Sequence, residues 1–442
     1  GAPLLRVLMF PWLAYGHILP FLNIARQLAD RGFLIYLLST KINLNSVIKK
    51  ITEKYVQLIH LITLSLPELP ELPPHLHTTN GLPPHLNAVL HKALKLAKGE
   101  FSRILQTLNP TLLIYDLLLP WASQVAESQN IPAGGLLTSC AAVYAYMVTH
   151  NKLLGNEFPF PEIHLPELEK DKTQEIVARL PEELFRLSEF NVNMMLMCTS
   201  RTIEAKYIDY CTDLDNWKVV PVGPPFQDLI TNDADNKELI DWLGTKHENS
   251  TVFVSFGSEY FLSKEDMEEV AFALELSNVN FIWVARFPKG EERNLEDALP
   301  KGFLERIGER GRVLDKFAPQ PRILNHPSTG GFISHCGWNS AMESIDFGVP
   351  IIAMPIHNDQ PINAKLMVEL GVAVEIVRDD DGKIHRGEIA ETLKSVVTGE
   401  TGEILRAKVR EISKNLKSIR DEEMDAVAEE LIQLCRNSNK SK

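Results

Sequence analysis

Residues 4–40 read LLRVLMFPWLAYGHILPFLNIARQLADRGFLIYLLST, in which two apolar runs (4–10 and 33–40) flank an amphipathic stretch from His17 to Arg31. Short apolar runs that alternate with a helical pattern are typical of βαβ units in a parallel sheet covered by helices. The alternation continues through QLIHLITL (57–64), LLIYD (112–116) and NVNMMLMCTS (191–200). The first half of the chain is therefore predicted to form one α/β domain.

A second series of the same kind follows a polar connection. Around residues 221–238 the sequence PVGPPFQDLITNDADNKE is rich in Pro, Asn and Asp and has no apolar period, which indicates an exposed linker. Further strands are predicted at TVFVSFGS (251–258), NFIWVAR (280–286), GGFISHCG (330–337) and PIIAMPI (350–356). This second series predicts another α/β domain with a parallel sheet.

The two series set the domain organisation. The predicted parts are an N-terminal domain (1–222), a linker (223–238), a C-terminal domain (239–425), and a C-terminal helix and tail (426–442) that return to the N-terminal domain. Two facing Rossmann-like α/β domains leave a cleft between the carboxyl ends of their sheets, where ligands of open α/β folds bind. We therefore expect the functional residues to line that interdomain cleft.

The composition argues against several classes of partner. The net charge of −13 and the pI near 5.5 argue against nucleic acid, because phosphate binding on that scale needs a clustered basic face. No apolar run reaches the roughly 18 residues of a membrane span, and no basic region leads an apolar core at the start, so neither membrane insertion nor a signal peptide is expected. The five cysteines form no CxxC pair, which favours a reducing, cytoplasmic location. A monomer is expected.

The segment SHCGWNS (334–340) has the features of a diphosphate site. An apolar strand that is followed directly by CGWNS places backbone N–H groups at the N-terminus of a helix, where the helix dipole favours a phosphate. Side-chain donors are added by His335, Asn339, Ser340 and, from the turn FGS, Ser258. The alternative is an ordinary strand–helix turn, which is common in proteins.

Further polar residues in the same region suit a nucleotide sugar. Glu343 lies one helical turn after Ser340 and could accept hydrogen bonds from both ribose hydroxyls, unless it is a solvated surface charge. Asp359 beside Gln360 joins a carboxylate to an amide, which suits adjacent sugar hydroxyls. Trp338 either forms a wall of the same pocket or packs in the core.

His17 and Asp116 are the candidates for acid–base chemistry. Histidine has an unperturbed pKa of about 6.5 and suits a general base that takes a proton from a hydroxyl group. His17 lies in the turn YGHILP, at the carboxyl end of the first predicted strand. Asp116 ends the apolar strand LLIYD, where a carboxylate would fix the imidazole tautomer and stabilise the imidazolium. The alternatives are a surface histidine and an N-cap for the helix PWASQVA.

One long segment resembles the signature of a known family. FAPQPRILNHPSTGGFISHCGWNSAMESIDFGVPIIAMPIHNDQ (317–360) closely resembles the 44-residue box of the plant family 1 UDP-glycosyltransferases. The likeness extends over essentially the whole chain, through GHILP (16–20) and FVSFGS (253–258). It implies the GT-B fold and transfer of a sugar from a UDP-sugar donor to a small acceptor, without a metal or other cofactor. The acidic stretches DADN (233–236) and DDDG (379–382) are then a linker and a hairpin turn, not cation sites.

The resemblance also implies roles for individual residues. It assigns the uridine neighbourhood to Phe317, Ala318 and Gln320, and the ribose to Glu343. Phe317 stands where most relatives have a Trp that stacks on uracil, so the stacking face is smaller. Gln360 at the end of the box implies glucose as the donor sugar, whereas His would imply galactose. The family's catalytic pair maps onto His17 and Asp116.

Three stretches are similar to a subgroup of that family that lengthens or branches a sugar on terpenoid or flavonoid glycosides. They are WLAYGHILPFLNIARQLADRGF (12–33), LHTTNGLPPHL (76–86) and TVFVSFGSEYFL (251–262). The similarity is greatest to nightshade-family members that act on steviol-type diterpene glycosides. It implies an inverting transfer of β-linked glucose to a sugar hydroxyl, with a 1→2 branch favoured over 1→6. His77 and Asn80, in a loop at 65–86 with six prolines, are the candidate acceptor-binding residues.

Other functions are open within and beyond this class. The acceptor could be a flavonoid glycoside, and the donor could be UDP-xylose, UDP-galactose or UDP-rhamnose. A UDP-sugar-binding protein that has lost catalysis would have a damaged His17 or Asp116, and both are present. A nicotinamide or flavin oxidoreductase would need GxGxxG after a predicted strand, and the sequence has none.

Overall fold

The structure is a computed structural model that describes residues 5–152, 157–180, 182–189, 194–215, 217–225, 236–287 and 293–440. The chain divides into two units. The first unit comprises Gly1–Phe158, Arg179–Pro225 and Ser418–Lys442, and the second comprises Pro159–Ala178 and Phe226–Lys417.

The apolar runs of the first half form one parallel sheet. In the part of the chain that the structure describes, its strands are β1 (Arg6–Phe10), β2 (Leu34–Ser39), β3 (Ile59–Thr63), β4 (Leu112–Asp116), β5 (Ala133–Leu137), β6 (Met195–Met197) and β7 (Val219–Pro221). They lie in the order β3-β2-β1-β4-β5-β6-β7, and each neighbouring pair is parallel. The order reverses between β1 and β4, so the carboxyl ends of these two strands meet at a topological switch point.

Helices connect these strands. They are α1 (Tyr15–Ala29), α2 (Lys41–Val47), α3 (Asn87–Leu96), α4 (Lys98–Leu108), α5 (Trp121–Ser128), α6 (Ala141–Lys152), α7 (Glu167–Val177) and α8 (Arg201–Asp215), of which α7 belongs to the second unit. Residues 65–86 contain only short 3-10 turns and an isolated bridge, so the predicted loop is confirmed. Its six prolines are incompatible with a continuous helix or a central strand.

The second unit repeats the arrangement. Its described strands are β8 (Thr251–Ser255), β9 (Asn280–Val284), β10 (Gly311–Leu314), β11 (Thr329–Ser334), β12 (Ile351–Ala353) and β13 (Ala373–Glu375). They are parallel in the order β10-β9-β8-β11-β12-β13, with the reversal between β8 and β11. Along β9, Phe281 and Trp283 pack in one buried cluster while Ile282 and Val284 pack in the other. Both faces of this sheet are therefore covered, which explains its continuous apolar strands.

The remaining helices complete the second unit and return to the first. They are α9 (Lys237–Gly244), α10 (Lys264–Ser277), α11 (Leu295–Ala298), α12 (Phe303–Ile307), α13 (Gln320–Asn325), α14 (Trp338–Asp346), α15 (Gln360–Glu369), α16 (Arg386–Val397) and α17 (Glu400–Lys440). None of the helices in the described ranges combines the length and the apolar character that a bilayer span requires.

The bounds of the two units are not those of the predicted domains. Residues 159–178 belong to the second unit. There the Leu168 side chain lies against Gly382, and the Glu169 carboxylate interacts electrostatically with the Lys365 ammonium group. The return to the first unit begins at Ser418 rather than at 426. Within the predicted linker, residues 226–235 lie outside the described part of the chain.

Candidate active site

The side chains of His17 and Asp116 lie together at the switch point of the first sheet. His17 is in the first turn of α1, which follows β1, and Asp116 is the last residue of the neighbouring β4. The His17 Nδ1 atom lies 2.7 Å from the Asp116 Oδ2 atom. Because 99 positions separate the two residues in sequence, it is the pairing of β1 with β4 that brings them into contact.

The environment of Asp116 determines how the imidazole is held. Asp116 exposes 2% of its side chain, whereas His17 exposes 26%. The N–H of Trp12 donates to Asp116 Oδ2 at 3.0 Å, and the N–H of Leu118 donates to Oδ1 at 3.1 Å. These bonds hold the carboxylate in one orientation. Since a carboxylate oxygen accepts the bond from the ring, Nδ1 carries the proton and Nε2 is left as an acceptor.

The structure contradicts the alternative in which Asp116 caps the helix PWASQVA. The helix α5 begins at Trp121 and has Pro120 as its N-cap residue, with no side-chain cap hydrogen bond. Asp116 Oδ1 instead accepts from the N–H of Leu118, which precedes the helix. The Asp116 carboxylate therefore binds the His17 ring and the backbone N–H groups of the loops after β1 and β4.

Inspection of the sequence missed Thr138, which joins this group. Thr138 follows β5, the strand beside β4, and its Oγ1 atom lies 3.0 Å from His17 Nδ1. The buried Glu204 carboxylate accepts from the N–H groups of Ala141 and Ala142 at the start of α6, and burial raises the pKa of Glu204. This contact fixes the segment after Thr138. A signal was present, because Thr138 follows an apolar run at the carboxyl edge of a parallel strand.

In the second unit, His335 lies between two glycines at the end of β11. A Cβ atom on either Gly257 or Gly337 would come within 2.7 Å of His335 Nε2, so only glycine fits at these positions. Burial lowers the pKa of His335 to about 4. Near neutral pH the ring is therefore uncharged and carries one N–H, which can donate to an anionic oxygen.

The helix α14 begins directly after this turn. Its N-cap residue is Gly337, and no side chain caps the helix. N–H groups that lack an intrahelical acceptor at a helix N-terminus attract anions. The predicted donors Asn339 and Ser340 lie in this first turn, where Gln320 Nε2 donates to Ser340 Oγ at 3.2 Å. Ser258 is half-buried in the turn after β8, the strand beside β11.

The residues predicted for the nucleoside differ in exposure. Glu343 is buried on α14, so the alternative of a solvated surface charge is wrong. Phe317 is 61% exposed, and the guanidinium carbon of Arg286 lies 4.4 Å from the centroid of its ring. Ala318 is half-buried beside Phe317. An exposed ring with a cation over one face leaves the other face for a flat ligand ring.

The residues predicted for the sugar lie at the start of α15 and α14. Gln360 is buried, and its Oε1 atom accepts from the N–H groups of Ile356 at 3.0 Å and His357 at 2.9 Å. The NH2 group of the Gln360 amide is left as a donor. Asp359 precedes it as the N-cap residue of α15. Trp338 is buried, as its core-packing alternative requires.

The candidate acceptor-binding residues lie in the Pro-rich loop of the first unit. His77 is buried, and its Nε2 atom lies 3.0 Å from the carbonyl oxygen of Leu72. The Thr40 hydroxyl donates to the carbonyl oxygen of His77 at 2.7 Å. Asn80 is half-buried, and its N–H donates to Thr78 Oγ1 at 3.2 Å. These bonds organise the loop, and a role in acceptor binding stays a prediction.

The acidic stretches DADN and DDDG are the remaining candidates for cation ligands. Within the described residues, no group of three or more His, Cys, Asp and Glu side chains could hold a metal ion. In DDDG, Asp379 Oδ1 accepts from the N–H groups of Asp381 at 3.0 Å and Lys383 at 2.9 Å, and Oδ2 lies 2.7 Å from His385 Nε2. These bonds close a tight turn. Residues 233–235 of DADN lie outside the described part of the chain.

Two domains of this kind, each a parallel Rossmann-like sheet covered by helices, form the GT-B glycosyltransferase fold. The catalytic candidates His17 and Asp116 belong to the first domain, and the nucleotide-sugar candidates of 317–360 belong to the second.

Known proteins resemble the chain over most of its length. Residues 4–226 match the family "Glycosyltransferase, N-terminal domain", and residues 186–409 match the family "UDP-glucoronosyl and UDP-glucosyl transferase". Beta-D-glucosyl crocetin beta-1,6-glucosyltransferase of Gardenia jasminoides is 51% identical over 442 residues, covering 98% of this chain and 100% of that protein. Mogroside IIIx synthase of Siraitia grosvenorii is 49% identical over 433 residues, covering 95% of each.

A solved structure agrees with these relatives. UGT2 of Phytolacca americana, in complex with UDP-2fluoro-glucose and pterostilbene, has a TM-score of 0.79 and 27% identity, covering 98% of this chain and 100% of that chain. The chain therefore belongs to the UDP-glucoronosyl and UDP-glucosyl transferase family and is a UDP-glycosyltransferase.

Proposed function

We propose that the enzyme is an inverting, metal-independent glucosyltransferase that transfers glucose from UDP-glucose to a sugar hydroxyl of a terpenoid glycoside. The observation that carries this proposal is the 2.7 Å contact between His17 Nδ1 and the buried Asp116 Oδ2, which leaves the Nε2 atom as a base. We expect the enzyme to act as a cytoplasmic monomer.

In the proposed reaction, His17 Nε2 takes the proton of the acceptor hydroxyl while the hydroxyl oxygen attacks the anomeric carbon of glucose. The bond between that carbon and the β-phosphate oxygen breaks, and its electron pair leaves with UDP. Attack on the face opposite the leaving group converts the α-linkage of the donor to a β-linkage in the product. Asp116 stabilises the imidazolium that forms.

The second unit supplies the donor site in this proposal. The diphosphate is assigned to Ser258, His335, Asn339 and Ser340, the nucleoside to Phe317, Ala318, Gln320 and Glu343, and the sugar to Trp338, Asp359 and Gln360. The dipole of α14 and the neutral His335 would stabilise the charge on the leaving diphosphate. These groups take the part that a divalent cation plays in other sugar transferases.

The relatives support a glycoside as the acceptor. The Gardenia jasminoides protein is named for an acceptor that already carries a β-D-glucosyl group, and the Siraitia grosvenorii protein is named for a mogroside. A steviol-type diterpene glycoside is favoured by the resemblance of residues 12–33, 76–86 and 251–262. The same resemblance favours a 1→2 branch, whereas the Gardenia jasminoides relative is named for a 1,6 linkage. The linkage is therefore a separate outcome of the experiment below.

We expect monoglucosides and diglucosides to be glucosylated faster than their aglycones, by about tenfold or more in kcat/KM, because a site that bonds a sugar hydroxyl rejects acceptors without one. The assay uses UDP-glucose with a panel of matched aglycones and glucosides that includes steviol glycosides. Product masses give the number of transfers, and NMR of the products gives the linkage. Faster reaction of aglycones across the whole panel would contradict the sugar-extending function and leave the transferase function intact.

We expect a chelator to leave the rate unchanged and UDP-glucose to react faster than UDP-galactose. The donor preference follows from Gln360, which the family resemblance assigns to glucose and whose amide is held in one direction by two backbone N–H groups. The chelator should have no effect because the dipole of α14 and the neutral His335 are proposed to stabilise the leaving diphosphate. The measurement compares initial rates with each UDP-sugar, with and without EDTA, and a magnesium-dependent transferase serves as the control for chelation. Strict dependence on added magnesium or manganese would contradict metal independence.

A further inference from the structure

The backbone of Cys336 has an unusual conformation. In the described ranges, positive φ angles at non-glycine residues occur at Asn109, Asn130, Asn249, Asn278, Asn358 and Cys336. Asparagine tolerates the left-handed region, because its short amide bonds locally, whereas positive φ is uncommon for cysteine. The Cys336 thiol makes one weak local contact, from Sγ to the carbonyl oxygen of Ser334 at 3.8 Å. Cys336, with φ of 65°, lies between His335 and Gly337, in the turn that leads from β11 into α14. Its strain therefore falls within the proposed diphosphate site.

A strained residue persists when its surroundings hold it in place. Two buried side chains do so here. Ser334 Oγ accepts the N–H of Cys336 at 3.0 Å, and Asn363 Nδ2 donates to the carbonyl oxygen of Cys336 at 2.9 Å. Ser334 and Asn363 are both completely buried. Asn363 lies in the first turn of α15, which begins with Gln360.

The hydrogen bond from Asn363 to the Cys336 carbonyl oxygen also affects the orientation of the next backbone N–H group. The peptide unit is planar and trans, so the direction of the Cys336 C=O also sets the direction of the Gly337 N–H. In a turn that contains a left-handed residue, successive backbone N–H groups can point to one place and bind an anion there. The Asn363 amide therefore orients a backbone donor at the entrance to α14 without lying in that turn itself.

We propose that Asn363 is a positioning residue of the diphosphate site, which acts by holding the left-handed Cys336 and with it the Cys336–Gly337 peptide. This inference rests on the proposed function of the second unit. The predicted sugar-binding pair lies at the start of the same helix, with Asp359 as the N-cap residue of α15 and Gln360 as its first residue. A single buried hydrogen bond thus links the helix of the sugar site to the backbone of the diphosphate site.

The test is UDP binding, measured by isothermal titration calorimetry, for the wild type, Asn363→Ala, Asn363→Leu, Cys336→Gly and the double variant Asn363→Ala with Cys336→Gly. Loss of the amide leaves the buried carbonyl without its donor, and we expect UDP to bind about tenfold more weakly to Asn363→Ala and Asn363→Leu. Glycine adopts positive φ without strain. We therefore expect the double variant to bind UDP within about threefold of Cys336→Gly alone.

If Asn363→Ala weakens UDP binding when residue 336 is Cys but not when it is Gly, the effect arises from positioning Cys336. A general loss of stability would weaken UDP binding in both cases. If Asn363→Ala weakens UDP binding equally with Cys or Gly at position 336, or does not weaken it at all, the positioning role is overturned. Asn363→Leu keeps a branched, buried side chain in case the alanine variant folds poorly, and melting temperatures accompany every titration.

A matched control tests a similar bond outside the site. Ser328 is buried and donates to the carbonyl oxygen of Leu243 at 3.0 Å, at the opposite end of β11. Ser328→Ala should lower the melting temperature and leave the UDP affinity unchanged. If Ser328→Ala instead loses as much UDP affinity as Asn363→Ala, the specific role of Asn363 is overturned. Failure of the wild type to bind UDP would overturn the proposed donor site itself.

Discussion

His17→Ala should abolish transfer and leave UDP binding nearly intact. The substitution removes the proposed general base, and a positioned general base contributes about 10²- to 10⁴-fold to the rate. The side chain lies in the first unit, paired with Asp116, whereas the proposed donor residues lie in the second. The expected result is a loss of kcat of that size together with a nearly unchanged dissociation constant for UDP.

The measurement combines product formation by mass spectrometry with calorimetric titration of UDP. His60→Ala is a suitable control, because His60 is an exposed histidine on β3 in the same unit and should be replaceable without loss of rate. A loss of UDP affinity of more than about tenfold in His17→Ala, roughly 1.4 kcal/mol, would count against this division of labour between the units.

The pairing of His17 with Asp116 could be anticipated from sequence for a topological reason. His17 follows one apolar strand and Asp116 ends another, and the carboxyl ends of neighbouring parallel strands meet at one edge of the sheet. The pattern of strands and helices was likewise visible, because period and turn residues are local properties. Thr138 obeyed the same rule and was overlooked, since a threonine after a strand has no distinctive chemistry by itself.

Other features depend on contacts that no local pattern reveals. The packing of α7 with the second unit depends on Leu168 and Glu169 meeting residues about two hundred positions later. The left-handed Cys336 is invisible in sequence, because cysteine does not favour positive φ and Asn363 lies 27 positions away. Strain of this kind is set by tertiary structure, so the residues that support the predicted site were harder to find than the residues that form it.

Asp116→Asn should slow turnover by about 10⁴-fold, as the corresponding substitution does in catalytic triads that orient a histidine in this way. The carboxylate accepts from His17 Nδ1 and from the N–H of Trp12 through Oδ2, and from the N–H of Leu118 through Oδ1. An amide has only one oxygen for these donors. If its NH2 group takes the Oδ2 position, it donates to Nδ1, and the histidine proton moves to Nε2, where the base is needed.

The opposite orientation of the amide is also unfavourable. It would place the NH2 group against the Leu118 N–H, so two donors would face each other in a buried site. Nitrogen-15 NMR of labelled protein reports the His17 tautomer directly, and stopped assays give kcat. Asp116→Ala removes the carboxylate but places no NH2 group against His17 Nδ1, so it does not impose the wrong tautomer. It should therefore retain more activity than Asp116→Asn. Turnover of Asp116→Asn within about tenfold of the wild type would remove Asp116 from the proposed mechanism, because that change corresponds to only about 1.4 kcal/mol in the barrier.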